Sequence, residues 1–296
     1  MPIPPEDPSL TGETVSRQSL TNRKGYDEDF LDFKVPLPLP AQNGVQTVVL
    51  PYTHFSVVFR PDRRLAAATA VAIDGAQLVK IGRDDNWQFD PRLPERQQAG
   101  HPVYQNNPLD KGHMVRRLDP VWGDRTQAAA ANADTFHYTN AAPQMDILNQ
   151  GKKLWLGLED FLLGHAKVFE RKLSVFTGPV LEDSDPAYRG IKVPLRFWKV
   201  TAFMQDGHLA STAYILDQTP DLSRDAAARA LAEAERAGDP PPLGAFRTFQ
   251  VPVADVAEIT QLDLGPLPDA DLLPRAVRAA RRWTQLESYD DIILQE

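Results

Sequence analysis

The sequence has no cysteine in its 296 residues, and this absence excludes disulfides, thiolate metal sites and a cysteine nucleophile. It also has no run of about 18 apolar residues, the length that crosses a membrane. The first ten residues, MPIPPEDPSL, have neither the basic nor the apolar region of a secretory leader. We therefore expect no membrane contact and, by default, a cytoplasmic location, with delivery out of the cell by another route as the alternative.

Positive charge is scarce overall, since the net charge is −8 and the isoelectric point is about 5.3. This balance argues against a broad basic surface for nucleic acid, but it does not exclude a local basic cleft. Lysines and arginines do gather around one stretch, residues 109–160, and these are Arg60, Arg63, Arg64, Arg83, Lys111, Arg116, Arg117, Arg125, Lys152 and Lys153. For each of them except Lys111, an ordinary solvated surface charge is an equal alternative.

The composition allows one large core, because 42% of the residues are hydrophobic. The N-terminal residues are rich in proline, serine, threonine and acidic side chains, which predicts a tail or surface arm over residues 1–25. Residues 26–296 are expected to form a single domain. Its first part, 26–40, mixes large apolar residues with prolines and predicts an extended segment packed on the core.

The apolar pattern predicts an α+β fold with a central antiparallel sheet flanked by helices. Nearly continuous apolar runs over 54–74 predict a hairpin near the centre of the sheet, and 172–180 predicts another strand. A second hairpin is predicted over 197–216, with its turn at Asp206-Gly207. Outside the sheet we expect a long irregular polar connection over 82–108, a loop over 182–194, a surface helix over 224–237 and a terminal helix over 273–283.

One histidine stands out as a candidate for proton transfer. His113 follows Asp110, Lys111 and Gly112, and the glycine suggests the end of a strand or an irregular turn. A neutral imidazole at such a position can accept a proton from water at physiological pH. The alternative is a buried histidine that is hydrogen-bonded to the main chain.

The second half of the stretch supplies neutral amides ahead of a helix. Residues 136–140 predict a strand that ends at 141–144, and an apolar stripe at Leu154, Trp155 and Leu158 predicts a helix bearing Glu159. Amide oxygens, as in Asn140 and Asn149, suit a hard cation such as Mg²⁺ that keeps most of its waters. The alternatives are a turn residue at 140, a helix cap at 149 and a solvent-facing carboxylate at 159.

Taken in order, these submotifs resemble the active-site segment of the DNA/RNA non-specific endonucleases of the ββα-metal superfamily. The family pattern is Asp-Arg-Gly-His, then Thr-Asn with Pro-Gln, then Asn-Gln, a Trp, and Leu-Glu on a helix. The matching residues here are Asp110-Lys111-Gly112-His113, Thr139-Asn140, Pro143-Gln144, Asn149-Gln150, Trp155 and Leu158-Glu159. The resemblance covers roughly residues 26–265 and implies a ββα-metal active-site motif.

The resemblance implies a Mg²⁺-dependent nuclease acting on both DNA and RNA, with Mn²⁺ as an alternative ion. His113 would be the general base, Asn149 the single direct metal ligand, and Glu159 the holder of metal-bound water. Asn140 would position the site, while Arg83 and Lys111 would meet phosphate. A homodimer and an inhibitor protein are open as partners.

The sequence departs from the family pattern in two places. Lys111 stands where the family most often has arginine, so the charge is kept but the bidentate fork is lost. Compared with the family pattern, the segment between Asn149 and Trp155 is two residues longer, with Lys152 and Lys153 as the extra residues. Because this changes the spacing after Asn149, Asp160 is an alternative to Glu159. These departures keep a second function open, a nucleic-acid-binding protein on the same fold with impaired catalysis.

Overall fold

The computed structural model describes residues 20–83, 85–145 and 170–293, without the side chains of residues 224 and 289. Its main feature is an eight-stranded antiparallel sheet. The strands, in chain order, are β2 (Val48–Pro51), β3 (Phe55–Arg60), β4 (Leu65–Asp74), β7 (Lys172–Val180), β10 (Arg196–Gln205), β11 (His208–Asp217), β12 (Arg247–Val251) and β14 (Thr284–Gln285). Across the sheet they lie in the order β14-β12-β11-β10-β7-β4-β3-β2. The predicted antiparallel sheet is therefore confirmed.

The interior strands are apolar on both faces because both faces of the sheet are covered. Every residue of β4 is buried, and its side chains alternate between two cores, as Val71 and Ile73 do on one face and Ala70 and Ala72 on the other. This burial explains the continuous apolar run in the sequence. The core that contains Val71 and Ile73, the first core, also contains Leu109, Met114 and Val115, so the strand that carries Lys111 and His113 lies over that face. The core on the opposite face is the second core.

The hairpin of β10 and β11 has the turn that its sequence predicts. Gln205 pairs with His208, which leaves Asp206 and Gly207 as the two turn residues. Both have positive φ angles, 49° and 80°, as a type I′ turn requires. The hairpin between β3 and β4 is also confirmed, with a register shift between Val58 and Phe59.

Three small two-stranded sheets surround the main one. They pair β1 (Leu39–Pro40) with β13 (Leu262–Asp263), β5 (Leu109–His113) with β6 (Ala141–Met145), and β8 (Ala187–Tyr188) with β9 (Ile191–Lys192). The described helices are α1 (His101–Tyr104), α2 (Arg125–Asp134), α3 (Arg224–Ala237), α4 (Val253–Thr260) and α5 (Arg275–Ala279). The α3 prediction is confirmed: the Ser223 side chain caps its start, and Gly238 ends it with a φ of 72°.

The predicted strand over residues 136–140 is wrong. Tyr138–Asn140 form a 3₁₀ turn, and the strand is β6, which was expected to be the exit. Hydrogen bonds from the Asn140 side chain to the main chain favour the turn. Pro143 is tolerated inside β6 because this strand has one described partner, β5, so the missing N–H removes no interior ladder bond.

Other predicted boundaries needed smaller corrections. The connection over 82–108 contains the short helix α1, and the loop over 182–194 contains the β8–β9 hairpin. The terminal helix spans only Arg275–Ala279. In the segment 26–40, Tyr26 and Phe30 are buried against the second core, as expected for a segment packed on the domain.

The described end of the predicted arm contacts the domain. Leu20 is buried in the first core, and the Arg23 guanidinium donates to both carboxylate oxygens of Asp134, at 2.7 and 3.1 Å. Residues 1–19 lie outside the described residues. Among the helices of the described ranges, none has the length and apolar character needed to cross a membrane.

Candidate active site

The paired strands β5 and β6 place His113 and Lys111 on one face of β5. Side chains two residues apart in a strand point the same way, and β5 pairs these two residues with Ala141 and Pro143 of β6. Gly112 points to the opposite face, where an added Cβ would lie 2.2 Å from Cδ of Gln144. A side chain at this position would therefore displace the buried Gln144 amide. The expected position of His113 at a strand end is confirmed.

Asn140 holds the chain just beyond His113. Its Oδ1 accepts from the Val115 main-chain N–H at 2.8 Å, and its Nδ2 donates to the carbonyls of Val115 and Thr135, both at 3.0 Å. Its own carbonyl accepts from Met114 N–H at 2.9 Å. Asn140 is fully buried. The amide thus fixes the His113 strand through main-chain contacts.

Aromatic rings surround the His113 imidazole. Its ring centroid is 4.7 Å from that of Trp87 and 5.1 Å from that of Phe136, which meets it edge-on. The Nε2 atom is buried and has no hydrogen-bond partner in the described structure. Burial, followed by the positive charges of Arg83 and Arg117, lowers the pKa of His113 from 6.5 to about 3. The imidazole is therefore neutral at physiological pH and can accept a proton.

Three cations border this neutral imidazole. Arg83, Arg117 and Lys111 all disfavour its protonation, while Asp85 favours it. Arg83 donates from Nε to both carboxylate oxygens of Asp85, at 2.8 and 2.9 Å, and both side chains are about 60% exposed. An exposed pair of this kind contributes about 1 kcal/mol or less, so a phosphate can replace the carboxylate at small cost.

Arg117 is a site residue that the sequence did not single out from the surrounding cations. Its Nη1 donates to Asn132 Oδ1 at 3.0 Å and to the Ile81 carbonyl at 3.3 Å. Burial and the charges of Arg83 and Arg116 lower its pKa. The signal for it was its place four residues after His113 in the basic cluster. Its positive charge is one of the three that surround the His113 imidazole and lower its pKa.

The loop that holds Trp87 is anchored by a buried carboxylate. Arg92 donates to both oxygens of Asp90, and the Tyr52 hydroxyl bonds both Asp90 and, at 2.6 Å, Thr139 Oγ1. Burial alone would raise the pKa of Asp90, but bonds from Arg92 and Tyr52 outweigh it and hold the pKa below its ordinary value. The network therefore ties the Trp87 loop to the turn that contains Asn140.

The described residues do not by themselves form a metal centre. Within 20–83, 85–145 and 170–293, no group of three or more histidine or acidic side chains could hold an ion. A site with so few ligands among the described residues fits an ion that takes most of its oxygens from water and phosphate. Asn149 and Glu159, the predicted ligand and water holder, lie outside the described residues.

The sequence profile of the DNA/RNA non-specific endonucleases matches residues 39–271, which is most of the chain. The chain therefore belongs to that family, which is one of metal-dependent nucleases. A solved structure, that of the EndoG/EndoGI complex determined to explain EndoG inhibition, is similar with a TM-score of 0.53 and 18% identity. The match covers 85% of this chain and 92% of that one, and it supports the fold.

Curated relatives agree with the family. The uncharacterized protein y4fB of Sinorhizobium fredii is 40% identical over 271 residues, covering 84% of this chain and 40% of the relative. A protein named nuclease from Nostoc is 26% identical over 184 residues, covering 58% and 63% of the two chains. Nuclease C1 of Cunninghamella echinulata is 30% identical over 149 residues, covering 46% and 56%. The matches thus span less than two thirds of each relative's length.

Proposed function

We propose that the protein is a metal-dependent endonuclease that hydrolyses phosphodiester bonds of both DNA and RNA. The observation behind this proposal is His113, a neutral imidazole whose buried Nε2 has no partner among the described residues and which three cations surround. Membership of the family and two relatives named as nucleases support the same activity.

His113 acts as the general base in this proposal. Its depressed pKa keeps the imidazole neutral, so one ring nitrogen is free of a proton, and its aromatic neighbours hold the ring in place. The nitrogen accepts a proton from the water that attacks phosphorus. A positioned base of this kind typically contributes about 10²- to 10⁴-fold in rate. Asn140 supports the base indirectly, because its bonds fix the strand end from which His113 projects.

The cations bind and orient the phosphodiester. Arg83 exchanges Asp85 for a phosphate oxygen, and Lys111, on the same strand face as His113, meets the phosphate as a point charge. The charge that develops on phosphate in the transition state lies close to these groups, which lowers the barrier. Contacts to phosphate and sugar contain little base information, so we expect slight sequence preference and cleavage of both nucleic acids.

Mg²⁺ is the proposed ion, with Mn²⁺ as the alternative. Asn149 would hold it by one amide oxygen, and Glu159 would hold its waters. A bound divalent ion supplies charge stabilisation at the phosphate and an acidic water for the leaving oxygen. The described residues contribute the base and the phosphate-binding cations around it.

Two protein partners are also proposed. An inhibitor protein is supported by the similar fold of EndoG, whose complex with EndoGI was solved to explain inhibition. A host that contains such an activity in its cytoplasm needs either an inhibitor or export of the enzyme. A homodimer is the second proposal.

The direct test is digestion of supercoiled plasmid and of a structured RNA with Mg²⁺, with Mn²⁺ and with excess chelator. We expect both substrates to be cut with either ion and neither to be cut in chelator. Cleavage that continues undiminished in chelator would contradict metal dependence. Binding of both nucleic acids without cleavage under all conditions would instead favour the impaired nucleic-acid-binding protein.

A further inference from the structure

The Lys111 ammonium lies between two aromatic rings that come from different segments. Its Nζ is 5.8 Å from the ring centroid of Trp87 and 5.8 Å from that of Tyr104. Tyr104 is the last residue of α1, and Trp87 belongs to the loop before it. Ammonium groups within about 6 Å of an aromatic face are attracted by the ring quadrupole. The Lys111 ammonium is therefore attracted by both rings, although its side chain remains partly exposed.

Both rings are fixed by packing that does not involve the lysine. Tyr138 stacks on Trp87 with centroids 5.9 Å apart and on Tyr104 at 6.3 Å. Phe136 meets Trp87 edge-on at 5.4 Å. A surface that is rigid before the ligand arrives can restrict a flexible four-carbon side chain at little further cost. The two rings thus form a preformed cage for the ammonium.

Tyr104 offers its ring rather than its hydroxyl. The hydroxyl is buried, and no described residue bonds to it. Burial, and then the neighbouring Tyr138, raises the pKa of Tyr104 far above its ordinary value, so the phenol stays neutral. Packing in the first core fixes the Tyr104 ring, and the contact that the ring makes with the Lys111 ammonium is through its aromatic face.

We propose that Trp87 and Tyr104 are positioning residues that hold the Lys111 ammonium where it meets the substrate phosphate. This inference rests on the proposed function, because the phosphate is that of the nucleic acid. It explains how a single lysine can serve at this position: the cage supplies the orientation that a planar guanidinium fork would otherwise provide. Trp87 also touches His113, so it positions both the cation and the base. Tyr104 contacts the Lys111 ammonium, and the described ring pairs do not include one between Tyr104 and His113.

The test compares two replacements of Tyr104 in two backgrounds. Tyr104→Leu removes the ring, and Tyr104→Phe keeps the ring and removes only the unbonded hydroxyl. We measure kcat and KM for cleavage of a labelled oligonucleotide, and thermal melting confirms folding of each variant. Tyr104→Leu should lower kcat/KM about two- to fivefold, the range of one cation–π contact on a phosphate-binding group. Tyr104→Phe should recover most of that loss.

The same pair in a Lys111→Met background completes a double-mutant cycle. Without the ammonium, Tyr104→Leu and Tyr104→Phe should have the same kcat/KM. The proposal is overturned if Tyr104→Phe is as harmful as Tyr104→Leu, or if Tyr104→Leu costs as much in the Lys111→Met background as in the wild type. The first result would mean that Tyr104 acts through its hydroxyl, and the second that it acts through general packing.

A second readout is independent of cleavage. In protein labelled with ¹³C-lysine, the Lys111 side-chain signal is assigned by its disappearance in Lys111→Arg. Ring currents should displace this signal, and Tyr104→Leu and Trp87→Leu should each move it toward the position of an exposed lysine. A Lys111 signal unaffected by both changes refutes the cage whatever the protein cleaves. If the wild-type protein cleaves no nucleic acid but its Lys111 signal is displaced, the proposed function is refuted and the cage is supported.

Discussion

The Oδ1 atom of Asn140 accepts a hydrogen bond from the main-chain N–H of Val115 at 2.8 Å, and the same amide donates back to the Val115 carbonyl at 3.0 Å. This reciprocal pair joins the 3₁₀ turn before β6 to the chain that leaves β5. His113 ends β5, so its position depends on Asn140, a residue with which it shares no ring contact or hydrogen bond in the described part of the chain. Asn140 is accordingly a positioning residue in the proposed site.

Asn140→Ala should lower both stability and activity. The change leaves the buried Val115 N–H without its acceptor, which costs about 1–3 kcal/mol in the free energy of unfolding. A displaced base should reduce kcat by about ten- to hundredfold. Gln250→Ala is a matched control, since the Gln250 amide also bonds the main chain, at Ile293, but lies outside the site. If both variants lose stability and both keep the wild-type kcat when folded, Asn140 has no positioning role.

The pH profile of kcat/KM should show no decline toward acid pH with a midpoint near 6.5. The pKa of His113 is lowered to about 3 by burial and by neighbouring cations, so the imidazole of the free enzyme stays neutral as the pH falls from 7 to 5. Since kcat/KM reports groups of the free enzyme, it should be sustained through this range at saturating metal. His208→Gln, at an exposed turn, is the control and should have the same profile. A half-maximal kcat/KM near pH 6.5 would contradict the depressed pKa.

Salt should weaken the enzyme through a small number of phosphate contacts. Arg83→Ala removes one proposed contact, so the slope of log KM against log salt for duplex DNA should become shallower by about 0.9. Arg60→Ala is the matched control, because Arg60 forms the same kind of i, i+2 ion pair, with Asp62, elsewhere on the surface. Equal slopes for Arg83→Ala, Arg60→Ala and the wild type would remove Arg83 from the phosphate-binding set.

Asn149 is proposed as the direct metal ligand, and metal titration tests this role. Asn149→Ala should weaken the apparent affinity for Mg²⁺ as well as turnover, because one protein oxygen is lost from the ion. Glu159→Ala should have a smaller effect, since it acts through water. Asn149→Asp, which keeps an oxygen at the same place, should retain more affinity than alanine. Identical titration curves for wild type and Asn149→Ala would exclude the assignment.

Local signals in the sequence predicted much of the fold. Asp206-Gly207 predicted the β10–β11 turn because both residues accept positive φ, and the alanine-rich run over 224–237, ended by Gly238, predicted α3. The burial of β4 on both faces of the sheet could be inferred from its continuous apolar run. These features depend on a few neighbouring residues, and the structure confirms them.

Features formed by distant segments could not be predicted in the same way. The strand boundary at 140–141 was misplaced because the bonds of Asn140 to Thr135 and Val115 decide it, and the second of these is a tertiary contact. The cage around Lys111 unites residues from an irregular loop, a short helix and a strand. No periodic pattern marks the loop over 82–108, so neither Trp87 nor Tyr104 could be assigned a role from spacing alone.

The central claim is that His113 takes the proton from the attacking water, and single-turnover cleavage by His113→Ala tests it most directly. The variant should fold, bind a labelled oligonucleotide as the wild type does, and lose about two to four orders of magnitude in the rate of cleavage at saturating metal. Imidazole added to the buffer should restore part of this rate as its neutral form increases with pH. A well-folded His113→Ala protein that cleaves at the wild-type rate would contradict the account.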